Sequence, residues 1–197
     1  MPSSTLVLLS SLYLSGFALI HTAMASQRFK RRMHHWLGSA FGYYRLVYNL
    51  LQIALLGGFA LLFLPYDRPF YRLPSVLHLP AYFLIGLSVA LVLWVLLFTF
   101  DFRDFAGLRL RSNAMPSSGS LKQNGPFRIC RHPVYFGTFL SFSLIPNMSL
   151  LGFVFSIFLL LYGYFGSIPE ERKLLAHFGR PYREYQKRTK RLIPFLL

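Results

Sequence analysis

Residues 131–172 read RHPVYFGTFLSFSLIPNMSLLGFVFSIFLLLYGYFGSIPEER. Polar groups flank a long apolar stretch on both sides: Arg131 and His132 before it, Glu170, Glu171 and Arg172 after it. A membrane-spanning helix needs about 20 mostly apolar residues, and Val134 to Ile168 is long enough for two passes if the chain reverses inside it. Ile145-Pro146-Asn147 is the place for the reversal, because proline disfavours helix at the residue before it and asparagine tolerates turns. The segment is therefore expected to form a helical hairpin whose two polar flanks face each other.

Working outward, three more segments have spanning length and almost no internal charge: Leu6 to Ala25, Leu46 to Leu64 and Leu79 to Phe100. The first lacks the basic residues that open a secretory signal, since Met1 to Thr5 carry none, and its apolar run is long for one, so it is read as a span. The expected architecture is all-α, a polytopic membrane protein with five transmembrane helices, a C-terminal helical hairpin and short cytoplasmic helices. Residues 1–110 form an N-terminal three-span part and residues 111–197 a C-terminal cofactor-binding part, the two making one structural unit.

The net charge is +15, and its distribution matters more than its size. Of the 21 basic residues, 19 lie between spans one and two, between spans three and four, or in the tail, leaving Arg68 and Arg72 on the opposite side. Positive charge accumulates on the cytoplasmic side, so the N-terminus is expected outside and the C-terminus in the cytoplasm, in a bacterial inner membrane. Lipid headgroups account for these charges, and no nucleic-acid partner is expected. One cysteine, Cys130, rules out a disulfide framework; it reads as a small buried side chain, or as a reactive thiol if Arg128 and Arg131 lower its pKa. The six histidines show no metal-ligand spacing and no phosphate-cradling glycine loop occurs, so no metal is expected. Residues 111–125 read as a mobile cytoplasmic loop. Beyond the fifth span, Pro169 is placed to open a short helix, Gly179 to stop it, Pro181 to start another and Pro194 to end that one.

The site chemistry follows from the flanks. His132 precedes Pro133, so a helix begins there with unpaired N–H groups and a positive dipole end, a place for a carboxylate assisted by Arg128 or Arg131. Glu170 and Glu171 supply negative charge opposite, suited to an ammonium or to ribose hydroxyls. S-adenosylmethionine carries a carboxylate, an ammonium, a ribose and a sulfonium together; lipid anchoring and helix capping explain the same charges without a ligand.

The run Gly125-Pro126-Phe127-Arg128-x-x-Arg131-His132-Pro133-x-Tyr135-x-Gly137, with Glu170-Glu171-x-x-Leu174, Phe178-Gly179-x-x-Tyr182-x-x-Tyr185 and Ile193-Pro194, resembles the isoprenylcysteine carboxyl methyltransferase and phospholipid methyltransferase superfamily of integral membrane enzymes. The front of the chain, His21-Thr22-Ala23-Met24-Ala25-Ser26 and Tyr44-Arg45-Leu46-x-Tyr48-Asn49, is similar to the NnrU and methanethiol S-methyltransferase branch. Pro126 and Phe127 depart from the superfamily's usual tyrosine or other aromatic, and Pro169 stands where relatives continue the helix.

The resemblance implies an S-adenosylmethionine-dependent methyltransferase acting on a small thiol or lipophilic acceptor that arrives through the bilayer. It implies that Arg128, His132, Tyr135, Gly137, Glu170, Glu171, Tyr182 and Tyr185 bind the cofactor, with Gly137 permitting close backbone approach. Arg131 is the candidate catalytic residue, stabilising a thiolate, and His21, Arg45, Tyr48 and Asn49 are candidate substrate contacts. Two other classes fit parts of the pattern: an NADPH-dependent membrane reductase of sterol-reductase type, and a non-catalytic NnrU-like membrane protein.

Overall fold

The computed structural model describes residues 1–99, 103, 106–108 and 120–194, and the chain forms two compact units. Most of the expected loop at 111–125 lies outside the described residues.

The first unit comprises Met1–Asp67 with the described part of Phe100–Ser118. It contains α1 (Ser3–Ala25), α2 (Gln27–Leu37) and α3 (Tyr44–Phe63). α1 packs on α3: Tyr13 Oη donates to the Leu55 carbonyl at 2.8 Å, and the Tyr13 ring stands 5.9 Å from Phe59 and 5.8 Å from Phe63. Gly58 makes room for it, since a Cβ there would lie 2.8 Å from Tyr13 Oη. The basic stretch after α1 forms a helix that the hydrophobic pattern does not announce. Ser26 caps it by accepting from the Phe29 N–H at 3.2 Å, and none of its residues is buried.

The second unit comprises Arg68–Thr99 and the described part of Gly119–Leu197. Its elements are β1 (Pro69–Arg72), α4 (His78–Phe98), α5 (Pro133–Ser143), β2 (Asn147–Ser149), α6 (Leu150–Phe178) and α7 (Arg180–Arg188). α5 lies between α4 and α6. Lipid tails are as apolar as leucine, so helices in a membrane associate by close packing at small residues rather than by escape from water. Gly137 does this on the α4 side, where an added Cβ would meet Val92 Cγ2 at 2.7 Å and the Ser88 carbonyl at 3.1 Å. Gly163 does it on the α6 side, where a Cβ would lie 3.0 Å from Tyr135 Cβ. The serines in these helices bond back to carbonyls of their own helix, as Ser88 does to Leu84 and Ser156 to Gly152, both at 2.8 Å.

Four helical stretches among the described residues are long and apolar enough to cross a membrane: Ser3–Ala25, Gln27–Tyr66, Ser75–Phe98 and Leu150–Phe178. The architecture is an all-α polytopic one with little sheet. The expected fourth span differs from its reading: α5 has 11 residues, about 17 Å of rise against a hydrocarbon core of about 30 Å. The missing length is taken up by the reversal. Leu144 to Pro146 turn the chain, and β2 then pairs antiparallel with β1, bracketed by Leu73 N–H to the Pro146 carbonyl at 2.9 Å and Leu150 N–H to the Arg68 carbonyl at 2.8 Å.

Pro169 also differs from expectation, because it sits inside an unbroken α6 rather than opening a new helix. Proline removes one helical hydrogen bond, a loss that membrane helices tolerate, and the turn beyond it is anchored by the ion pairs described below. At 29 residues α6 measures about 43 Å, so the part up to Ile168 suffices to span and the turns carrying Glu170 and Glu171 project past it. Gly179 stops α6 as expected, with φ at +60°. α7 ends at Arg188, before Pro194, and the residues that follow run as a strap.

Gly137→Val is expected to lower the thermal melting point in detergent, by an amount corresponding to roughly 1–3 kcal/mol of overpacking. Gly86→Ala, where nothing lies within 4 Å of the added carbon, serves as the control and should leave the melting point unchanged or higher.

Candidate functional site

The head of α5 is held from behind by the strap: Arg131 N–H donates to the Lys190 carbonyl at 2.9 Å and His132 N–H to the Arg191 carbonyl at 3.1 Å. The strap is seated by buried Thr189 and Leu192 and by the Arg191 guanidinium, 4.2 Å above the Tyr164 ring. Pro133 then opens the helix, its fixed φ and missing N–H suited to the first position.

Onto this head α6 brings its two carboxylates. His132 Nδ1 lies 3.3 Å from Glu170 Oε2 and His132 Nε2 lies 3.4 Å from Glu171 Oε1. Arg131 Nε donates to Glu171 Oε1 at 2.5 Å, and its Nη1 donates to the carbonyls of Gln186, at 3.2 Å, and of Thr189. Gln186 Nε2 donates to Glu171 Oε2 at 3.1 Å, and Tyr135 Oη donates to Glu170 Oε1 at 2.8 Å. The His132 and Tyr135 rings stack at 5.7 Å.

Burial separates the two carboxylates. The Glu171 side chain is 12% exposed and its partners Arg131 and His132 are 10% and 7%, whereas Glu170 is 47% exposed. Glu171 is an internal counter-ion and Glu170 the member open to the outside. Two buried polar atoms in this region lack a hydrogen-bond partner among the described residues: His132 Nε2, whose approach to Glu171 lacks hydrogen-bonding geometry, and Tyr182 Oη.

The charges tune one another. Burial alone would raise the Glu171 pKa, but His132 and Arg131 outweigh it and hold the carboxyl down at about 2. Glu170 is lowered likewise, burial being outweighed by His132 and Tyr135. Burial disfavours a charged His132 ring, yet the two carboxylates more than compensate and its pKa is raised. Cys130 goes the other way: fully buried, its thiol is pushed up to about 11 by burial, which overrides Arg131. The lowered pKa considered from its arginine neighbours is therefore corrected, and the thiol is a packed, protonated side chain.

The structure brings Arg131, His132, Tyr135, Glu170 and Glu171 together. Tyr182 and Tyr185 lie buried beneath them, Tyr185 Oη donating to the Phe127 carbonyl at 2.6 Å. Arg128 does not join; it is exposed at the end of the 125–128 turn, outside the ion-pair network. Gly137 is also corrected, because the space left by its missing side chain is filled by Val92 and Ser88 of α4. Arg131 is bound to Glu171 and two carbonyls, which makes its guanidinium a structural clamp rather than a free anion-stabilising group. In the first unit, Tyr48 Oη lies 2.8 Å from His21 Nε2, while Arg45 and Asn49 occupy the first turns of α3, one exposed and one half-buried. Gln186 and the strap carbonyls were not legible in the motif. Nor was Gln52, a buried amide in α3 that its isolation within an apolar run could have flagged. Among the described residues no three His, Cys, Asp or Glu side chains group as metal ligands.

A family model described as "Protein of unknown function (DUF1295)" matches residues 4–189. The chain belongs to the DUF1295 family. This DUF1295 chain is 29% identical over 194 residues to the methanethiol S-methyltransferase of Pseudomonas deceptionensis, covering 96% of this chain and 73% of that enzyme. Over 198 residues it is 30% identical to methanethiol S-methyltransferase 2 of Bradyrhizobium diazoefficiens, covering 96% and 74%. Those relationships place the DUF1295 chain in the membrane methyltransferase branch. No solved structure gives a significant match.

The cluster makes stability depend on pH from both sides. His132 has a raised pKa, so its contribution is complete below its unfolded value of 6.5 and is lost as pH rises through the folded value. Glu171 is lowered from 4.5 to about 2, so its contribution is complete above 4.5 and is lost as pH falls toward 2. Melting in detergent is expected to be highest between 4.5 and 6.5 and to fall on both sides. Glu171→Gln is expected to lower that plateau by roughly 3 kcal/mol, since it strands the buried Arg131 charge, and to flatten the acid limb.

Proposed function

We propose that this protein transfers a methyl group from S-adenosylmethionine to a small thiol of the methanethiol type, working in a bacterial inner membrane with its N-terminus outside and its C-terminus in the cytoplasm. In this reading the α5–α6 hairpin completes five passes and the donor binds at residues of the C-terminal part, 111–197. The observation that carries the reading is Glu170: a half-exposed carboxylate, oriented by His132 and Tyr135, just past the apolar part of a spanning helix. Near-full-length similarity to enzymes named methanethiol S-methyltransferase supplies the reaction class.

The residues present fit such a donor. Glu170 offers an open negative charge for an ammonium or ribose hydroxyls, with both its oxygens oriented by His132 and Tyr135. When bound, S-adenosylmethionine supplies an electrophilic methyl on a sulfonium. The protein's part is positional. His132 and Tyr135 fix both Glu170 oxygens; Arg131 and Glu171 lock α5 to α6 and α7 and so fix His132. The apolar helices exclude water, which favours a reaction that disperses charge. Methyl transfer would break the donor's methyl–sulfur bond and the acceptor's S–H bond and form one new S–C bond, leaving S-adenosylhomocysteine, a methyl thioether and a released proton.

Calorimetric titration of the purified protein should show binding of S-adenosylhomocysteine and none of NADPH. Glu170→Gln and His132→Ala should each weaken it about tenfold, near 1.4 kcal/mol for one charged hydrogen bond. Radiolabelled methyl uptake across methanethiol, a prenylated cysteine and phosphatidylethanolamine should favour the first. Heat from NADPH alone would overturn the assignment.

A further inference from the structure

α2 carries charge where the helices on either side of it carry almost none. Its sequence, QRFKRRMHHWL, begins after one extended residue, Ser26, and ends at Gly38, whose φ is +53°. Eleven residues rise about 17 Å, too little to cross a hydrocarbon core of about 30 Å, and arginines are costly inside one. α2 therefore stays at the end of the two spans that it joins.

At helical spacing its side chains sort onto two sides. Phe29, Met33, Trp36 and Leu37 recur at intervals of three and four on one side; Arg28, Arg31, Arg32 and His35, all exposed, recur likewise on the other. The apolar side is fixed toward the foot of α3. The Phe29 ring stands 6.4 Å from Tyr44, whose Oη donates to the Met24 carbonyl at 2.6 Å, and Phe41 stacks on Tyr44 at 5.3 Å. Beyond that contact the apolar side is open, with Trp36 73% exposed. A helix bathed in water gains nothing by presenting an indole and a leucine, whereas one lying in a headgroup layer buries both while its cations meet phosphate. Tryptophan is enriched at that level of a membrane. Charge decides the kind of lipid: residues 1–66 contain no Asp or Glu, so α1, α2 and α3 offer the arginines no acidic partner.

We propose that α2 lies in the plane of the membrane surface and binds the headgroups of anionic phospholipids through Arg28, Arg31 and Arg32, with Trp36 and Leu37 seated at the acyl boundary. An acidic protein or a nucleic acid would meet the same arginines but leave the apolar side in water. The chain has two tryptophans, so Trp94→Phe leaves Trp36 as the single reporter. In proteoliposomes its fluorescence should be quenched by phospholipid brominated high on the acyl chains and little by aqueous acrylamide. Brominated phosphatidylglycerol should act at about a fivefold lower mole fraction than brominated phosphatidylcholine, the preference that one arginine near an anionic surface confers. Raised salt should shrink the difference. Replacing Arg28, Arg31 and Arg32 together by Gln should abolish it, and replacing them by Lys should keep it. A Trp36 open to acrylamide and indifferent to brominated lipid overturns the in-plane placement. Equal quenching by the two lipids, or a preference that survives the glutamine variant, overturns headgroup binding by the arginines.

Discussion

Two carboxylates on adjacent positions of α6 meet one imidazole and one guanidinium at the head of α5, and the rest of the second unit is arranged around that meeting. Adjacent glutamates at the edge of an apolar span are costly unless each finds a cation, because burying an unpaired charge is among the most unfavourable events in a fold. Arg131 and His132 supply those cations from a neighbouring helix. The hairpin must therefore close, α6 must continue through Pro169 to reach them, and α7 must dock so that Gln186 and the Thr189 carbonyl complete the shell of Glu171 and Arg131.

Packing and chemistry share a residue. Tyr135 Cβ rests against Gly163 while its hydroxyl, 3.6 Å from where a Gly166 Cβ would lie, reaches Glu170. The distance between α5 and α6 thus sets the orientation of the one open carboxylate. Gly137 does the corresponding job on the other face of α5, and a helix of 11 residues is held in place by close approach on two sides rather than by length. The two-stranded β1–β2 pairing ties the far end of the hairpin to the segment before α4.

In this DUF1295 chain the arrangement divides labour between two similar residues. Glu171 is used up internally, its carboxyl held ionised by His132 and Arg131, and it gives rigidity. Glu170 shares His132 and borrows Tyr135, which leaves an oriented negative charge facing outward. Sequence motifs name both glutamates alike; only their exposures, 47% and 12%, distinguish the ligand candidate from the strut.

Much was legible in the chain itself. Apolar runs of spanning length, the reversal at Ile145-Pro146-Asn147, the Gly179 stop and the pairing of the His132 and Glu170 flanks are local or nearly local properties, since helix length, turn chemistry and charge scarcity are written residue by residue. What escaped was non-local. That Gly137 serves α4, that Arg131 is spent on Glu171 and two carbonyls, that Cys130 is buried enough to keep its proton and that the buried Gln52 amide has no hydrogen-bond partner among the described residues all depend on which surfaces meet. Sequence decided that the polar residues would gather at the ends of apolar helices, because water and lipid sort them so. Tertiary structure alone decided which of them are satisfied by one another and which are left open, because hydrogen bonds and ion pairs reach only a few ångströms and their partners among the described residues lie up to 82 positions apart in the chain.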